Sequence, residues 1–170
     1  TIDVHAELAK YETARRCAEE DLIVVQQRAR EQLSENEASI FDVHRSILSD
    51  AALTERVQDG IIQNRMTAQA SLHRALNMYS EAFSKFNDRY LRERLTDIRD
   101  VIQRVEKHLG DSYLSLDDET LMMHPVILVV DELLPSQVVG FGSLKIRGIV
   151  TQSGSETSHA AIVARGLGIP

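Results

Sequence analysis

Proline and glycine divide this chain more sharply than any other property. All three prolines and six of the eight glycines fall in the last 48 of its 170 residues, and the first 122 contain no proline. Proline breaks a helix interior and glycine weakens it. The first part, dense in Ala, Leu, Glu, Arg and Gln, is therefore open to helix along its whole length, while the second must turn often. The boundary gives two expected domains, 1–122 helical and 123–170 mixed α/β.

Within the first part, Val4, Leu8, Tyr11, Ala18, Leu22, Val25, Ala29 and Leu33 recur at three- and four-residue steps, which predicts one long amphipathic helix with Asp3 as its cap. Ser34 and Glu37 are spaced as a capping box ahead of a second helix carrying Ile40, Phe41, His44, Ile47 and Leu48. Asp50 is placed to cap a third, with Leu53, Val57, Ile61 and Ile62 apolar. Thr67 opens a pattern that runs to Leu109 and stops at Gly110. That length predicts a break near Asn87 and Asp88. The economical packing is two antiparallel helical pairs.

In the second part the period changes. The run 126–130, Val-Ile-Leu-Val-Val, reads as a buried strand between Pro125 and Asp131, and 146–150 reads as another. Thr157 or Ser158 then caps a short helix over 160–165, ended by Gly166 and Gly168. Strands of this kind belong to a larger sheet, so part of the α/β unit is expected outside these residues. The absence of an initiator Met and the ending Gly-Ile-Pro also suggest an excised piece.

Charge and composition narrow the partners. With 26 acidic and 19 basic residues the net charge is -7. Residues 123–170 hold three of each sign, so the helical part carries the entire excess. An acidic surface opposes a nucleic-acid backbone and favours a basic protein. The longest aliphatic run, 126–130, is far below the roughly 20 apolar residues of a membrane span, and no basic-then-apolar leader opens the chain. One cysteine, Cys17, cannot form an internal disulfide and fits a reducing compartment, so a cytoplasmic location is expected.

Chemistry concentrates in Ser153-Gly-Ser-Glu-Thr-Ser-His-Ala-Ala-Ile-Val-Ala-Arg-Gly-Leu-Gly-Ile-Pro170. A strand ends, a small turn follows, and His159 enters the first turn of a helix. Unpaired amides and the positive end of the backbone dipole suit a phosphate there. The same field opposes a positive charge on the ring and leaves its lone pair available as a nucleophile. Thr157 and Ser158 can donate hydroxyl hydrogen bonds to phosphoryl oxygens, and Gly154 permits close backbone approach. On physics alone, a Ser-His pair at a helix start is more often a cap beside a satisfied histidine. His5, His73 and His124 lack a metal-ligand spacing, so no metal site is expected, and His108 suits the negative end of its own helix. The acids at 117–119 read as a solvated loop.

Gly154-Ser-Glu-Thr-Ser-His-Ala-Ala-Ile-Val-Ala-Arg165, with Gly168-Ile-Pro170, resembles the phosphohistidine signature of the phosphoenolpyruvate-utilising enzymes, with Ser155 where the family usually has a second glycine. Ile40-Phe-Asp-Val-His-Arg-Ser-Ile-Leu-Ser-Asp-Ala-Ala-Leu53 and the stretch from Tyr90 to Arg104 are similar to the helical subdomain of the enzyme I family of the bacterial phosphotransferase system. The resemblance implies a helical subdomain that docks the phosphocarrier HPr, and part of a swivelling α/β subdomain that presents the phosphorylated histidine. It implies His159 as the catalytic residue, supported by Gly154, Thr157, Ser158 and Arg165. For HPr docking it points to Glu35, His44, Ile47, Asp50, Leu53 and Arg94, although ordinary helix-helix core is an equal reading of Ile47 and Leu53. It further implies a phosphoenolpyruvate- and magnesium-binding barrel elsewhere in the complete enzyme, which would be a homodimer, and no cofactor in this chain. The rival readings are the swivelling domain of a pyruvate phosphate dikinase or phosphoenolpyruvate synthase, and a helical interaction module with a vestigial histidine motif.

Overall fold

A computed structural model of the protein describes residues 2–110, 124–141 and 145–170. The acids at 117–119 lie outside them. In the first part the helices are α1 (Val4–Gln32), α2 (Glu35–Ala38), α3 (Ile40–Leu48), α4 (Ala51–Ile62), α5 (Ala68–Ser84) and α6 (Arg89–Lys107). The second part contributes β1 (Val126–Val130), α7 (Pro135–Gly140), β2 (Ile146–Thr151) and α8 (His159–Gly166).

Short polar side chains set most of the helix starts. Asp3 Oδ1 accepts from the Ala6 amide at 3.1 Å. Ser34 and Glu37 form the reciprocal capping box at α2. Asp50 Oδ1 accepts from Ala52 N at 2.9 Å, Thr67 Oγ1 from Ala70 N at 3.2 Å and Asp88 Oδ1 from Tyr90 N at 2.7 Å. Each satisfies an amide that the helix itself cannot pair. The long pattern after Thr67 breaks where Asp88 restarts it, so α5 and α6 are separate helices. Ser39 likewise separates the single turn of α2 from α3.

The described chain forms two compact units. One takes the residues up to Leu22 and those from Val43 through α6; the other takes Ile23–Asp42 with the C-terminal part. The second unit thus draws in the last turns of α1, all of α2 and the start of α3, a grouping that the expected boundary at 122 does not contain.

In the first unit α4 packs on α5 and α5 on α6, and short connections between adjacent helices make the pairs antiparallel. Its core joins Tyr11, Ala14, Ala18 and Leu22 of α1 to Ile47, Leu53, Val57, Leu72, Ile98 and Ile102. Close approach of α4 to α5 rests on Gly60, where a Cβ would fall 2.0 Å from Ser71 Oγ. That hydroxyl donates to the Val57 carbonyl at 2.7 Å. Glu7 Oε2 accepts from Ala68 N at 2.9 Å and ties α1 to the start of α5. The Lys10 ammonium, with that amide, holds the Glu7 carboxyl below its ordinary pKa.

In the second unit β1 and β2 pair in parallel, Val130 opposite Thr151, with an irregularity between Val126 and Ile127. Val126, Leu128 and Val130 pack against a core that includes Phe41, Val138, Val163 and Ile169. The other face of β1 differs from the buried strand that the sequence suggests: Ile127 and Val129 are 66% and 74% exposed. Alternate side chains of a strand face opposite sides, and among the described residues only one side is covered. No helix among the described residues is long and apolar enough to cross a membrane.

Candidate functional site

The segment bearing His159 is built at the carboxyl end of the two parallel strands, the edge at which open α/β sheets place ligands. Strand pairing continues past β2, because Gln152 N donates to Val130 O at 3.1 Å and Ser153 N to Asp131 O at 2.7 Å. Gly154 then turns the chain with φ +123, a conformation that side-chain-bearing residues rarely adopt. A tight turn follows in which Ser158 N donates to Ser155 O at 3.0 Å, while the hydroxyls of Ser155 and Thr157 lie 3.2 Å apart. Of the two candidate caps it is Ser158 that closes the helix start: its Oγ accepts from Ala161 N at 3.3 Å.

His159 is the first residue of α8 and half-buried, between the exposed Thr157 and the buried Ala160. The far end of α8 is fixed as well. Ile169 N donates to Ala164 O, Ile169 is buried, and Ile149 N of β2 donates to Pro170 O at 2.9 Å. A rigid strand before and an anchored turn after therefore leave the histidine on a defined helix start, where amides point outward and the dipole is positive. Such a start can stabilise an anion delivered to the ring.

The structure brings Gly154, Thr157, Ser158 and His159 together. Arg165 stands apart from them: it is exposed in the last turn of α8, and six residues at the helical rise put it about 9 Å along the axis from His159. A guanidinium there complements the carbonyl end of the helix.

The residues expected to dock a carrier divide by burial. Glu35 and Asp50 are exposed and Arg94 is half-buried. His44, Ile47 and Leu53 are 0%, 3% and 4% exposed, and all face the core of the first unit. A docking contact needs an accessible side chain, and these three are packed inside the first unit. Asp50 has a second duty as the cap of α4.

Sequence reasoning missed the polar groups that meet His44. Its Nε2 lies 3.3 Å from Asp97 Oδ1 and its Nδ1 3.9 Å from Asp100 Oδ2, both carboxylates 2% exposed. The available signal was two acids three apart among Ile98, Val101 and Ile102, on the face of α6 that packs inward. His108 Nε2 lies 2.7 Å from Asp21 Oδ2, and His73 Nε2 2.6 Å from Glu106 Oε1. Among the described residues no group of three or more His, Cys, Asp or Glu side chains is gathered to hold a metal ion.

Known proteins resemble this chain over nearly its whole length. Residues 1–94 match the family description "PEP-utilising enzyme, N-terminal" and residues 122–170 match "PEP-utilising enzyme, mobile domain". The chain belongs to the PEP-utilising enzymes. Over 168 residues it is 34% identical to the phosphoenolpyruvate-protein phosphotransferase of Bacillus sp. (strain S) and 38% identical to that of Mycoplasma capricolum subsp. capricolum. Each alignment takes in 99% of this chain and 29% of the relative, so the chain spans well under half of these proteins. An NMR solution structure of an Enzyme I protein superposes with a TM-score of 0.74 at 30% identity, covering all of this chain and 71% of that one. The N-terminal domain of Enzyme 1 - Nitrogen gives 0.69 at 28% identity, with 68% of that chain covered. Membership of the family brings the helical unit and the α/β unit under one fold: a helical subdomain with part of an α/β subdomain.

Proposed function

We propose that this chain is the phosphohistidine-bearing part of a phosphoenolpyruvate-protein phosphotransferase. In this reading His159 takes a phosphoryl group from phosphoenolpyruvate and passes it to a histidine of an HPr-type phosphocarrier. The observation that carries the proposal is the place of His159 within its family motif: first residue of α8, half-buried, behind a Ser158 cap and a glycine turn. Relatives bearing the phosphotransferase name over 99% of the chain support this reading over a dikinase.

The chemistry is two displacements at phosphorus. A ring-nitrogen lone pair forms the N–P bond as the P–O bond to enolpyruvate breaks, and the other ring nitrogen releases its proton to water. The carrier's imidazole then forms a new N–P bond as the first one breaks, its other ring nitrogen releasing a proton to water while the departing His159 ring takes one up and returns to neutral imidazole. In both steps the protein supplies chiefly position and charge stabilisation. The amides at the start of α8 face the phosphoryl oxygens, Thr157 can donate a hydroxyl hydrogen bond, and Gly154 leaves room for backbone approach. Ser158 is occupied in capping and Arg165 in serving the far end of the helix.

Carrier docking, phosphoenolpyruvate binding and dimerisation of the complete protein belong to the same proposal. Magnesium and phosphoenolpyruvate are assigned, within this proposal, to the barrel that the family resemblance implies. Docking falls foremost to Asp50, an exposed acid of the first unit, because an acidic surface steers a basic partner; Arg94 of that unit and Glu35 of the other are further candidates, each taken by itself. The deciding experiment incubates the complete protein with labelled phosphoenolpyruvate and magnesium and maps the phosphate by peptide analysis. The expected product is a single acid-labile, alkali-stable phosphate on His159; label retained in His159→Ala would sink the assignment.

A further inference from the structure

The inward face of α6 carries two carboxylates that an apolar core does not require. Asp97 and Asp100 stand one turn apart, each 2% exposed, and α3 sets the fully buried His44 against them. One ring nitrogen of His44 faces Asp97 at 3.3 Å and the other faces Asp100 at 3.9 Å, the first a hydrogen-bond distance and the second an ion-pair distance. Aliphatic neighbours such as Ile47 and Leu48 hold a helix in place but tolerate small rotations and slides. An imidazole between two acids has a narrow permitted geometry, so it sets both the rotation and the register of the helix that carries it. His44 stands mid-way along α3, and the exposed Ser49 and Asp50 follow within two turns.

We infer that His44 is a positioning residue for the carrier-docking surface rather than a part of it. Clamped by Asp97 and Asp100, it fixes α3 on α6 and thereby sets where the α3–α4 corner and Asp50 stand. This rests on the docking reading proposed above. A docking contact would combine sensitivity of carrier recognition to His44 with protection of His44 by the carrier, whereas a positioning residue shows only the first.

Both are measured on the complete protein. Diethyl pyrocarbonate followed by peptide mapping should leave His44 unmodified with and without an HPr-type carrier, while the exposed His5 and His124 react. His44→Gln keeps a hydrogen-bonding amide but cannot face both acids. It should raise the carrier KM of phosphoryl transfer about tenfold and leave kcat nearly unchanged, the signature of lost docking rather than lost chemistry. Asp97→Asn should act in the same direction, and the double variant should be no worse than the worse single one, as for partners in one contact. Should circular dichroism show that His44→Gln does not fold, Asp100→Asn loosens the longer contact and should give the same split on a smaller scale. An unchanged KM in the folded variant, or His44 that reacts in the free protein and is shielded by the carrier, would overturn the inference alone. A wild-type protein that does not phosphorylate the carrier would overturn the docking reading and this inference together.

Discussion

The start of α8 and the α3–α4 region contrast in how their expected residues are used. At α8, Gly154, Thr157, Ser158 and His159 fall within six consecutive positions, and all four stand at one turn. In α3 and α4, His44, Ile47 and Leu53 turn into the core, and among the expected residues of these two helices and their junction only Asp50 stays in reach of a partner. A motif of a few consecutive residues is arranged by local hydrogen bonds. A surface spread over two helices depends on which face the rest of the chain covers. The same apolar spacing serves a core and a docking patch equally well, and only burial tells them apart.

The sharpest way to break the contrast is to truncate a side chain on each side of it. Leu53→Ala should destabilise the first unit by about 2–5 kcal/mol, the range for deleting a buried leucine, as read by urea unfolding. A loss below about 0.5 kcal/mol together with weaker carrier binding would return Leu53 to the surface. Ser158→Ala removes the α8 cap and should cost about 1 kcal/mol of local stability. Faster amide exchange across α8 and slower phosphorylation of His159 should accompany it, with the first unit unaffected.

Asp50 sharpens the comparison because it caps α4 and also faces solvent. A lysine there would mix loss of the cap with reversal of charge, whereas Asp50→Asn keeps a side-chain oxygen for Ala52 N. Stability should then change by less than about 0.5 kcal/mol. Carrier association should slow and lose part of its salt dependence, measured by stopped-flow at two ionic strengths. Equal salt slopes for both proteins would place the steering charge elsewhere.

The smallest expected effect concerns Glu37. The backbone hydrogen bond from Ser34, followed by that from the Ser34 hydroxyl, lowers the Glu37 carboxyl below its ordinary pKa. A lowered folded-state pKa gives stability that is full above the unfolded value, about 4.3, and is lost as pH falls through the folded one. Wild type and Glu37→Gln should therefore differ most near neutral pH and converge in acid, as followed by thermal melts across a pH series. A difference that stays constant with pH would remove the carboxylate from the account of α2.

Much of the local structure was legible in the residues themselves. Ser34 with Glu37, Asp50, Thr67 and Ser158 all bond to amides two or three positions away, so their spacing was enough to locate the helix starts. The break near Asp88 followed from the length of the apolar pattern, and both strands followed from short β-branched runs. His159 at the start of its helix was legible for the same reason, since nothing beyond a few neighbouring residues is needed to place it there.

Tertiary structure decided what no short segment contains. It put Ile23–Asp42 with the C-terminal part, although about 70 residues of chain separate the two. It left Ile127 and Val129 in solvent, although the run 126–130 is apolar throughout. It turned His44 inward onto Asp97 and Asp100, 53 and 56 positions further along. Hydrogen bonds at a cap join neighbours in sequence, and the residue types there announce them. Burial joins segments that are distant in sequence, and an amphipathic stripe records that something will cover it without recording what.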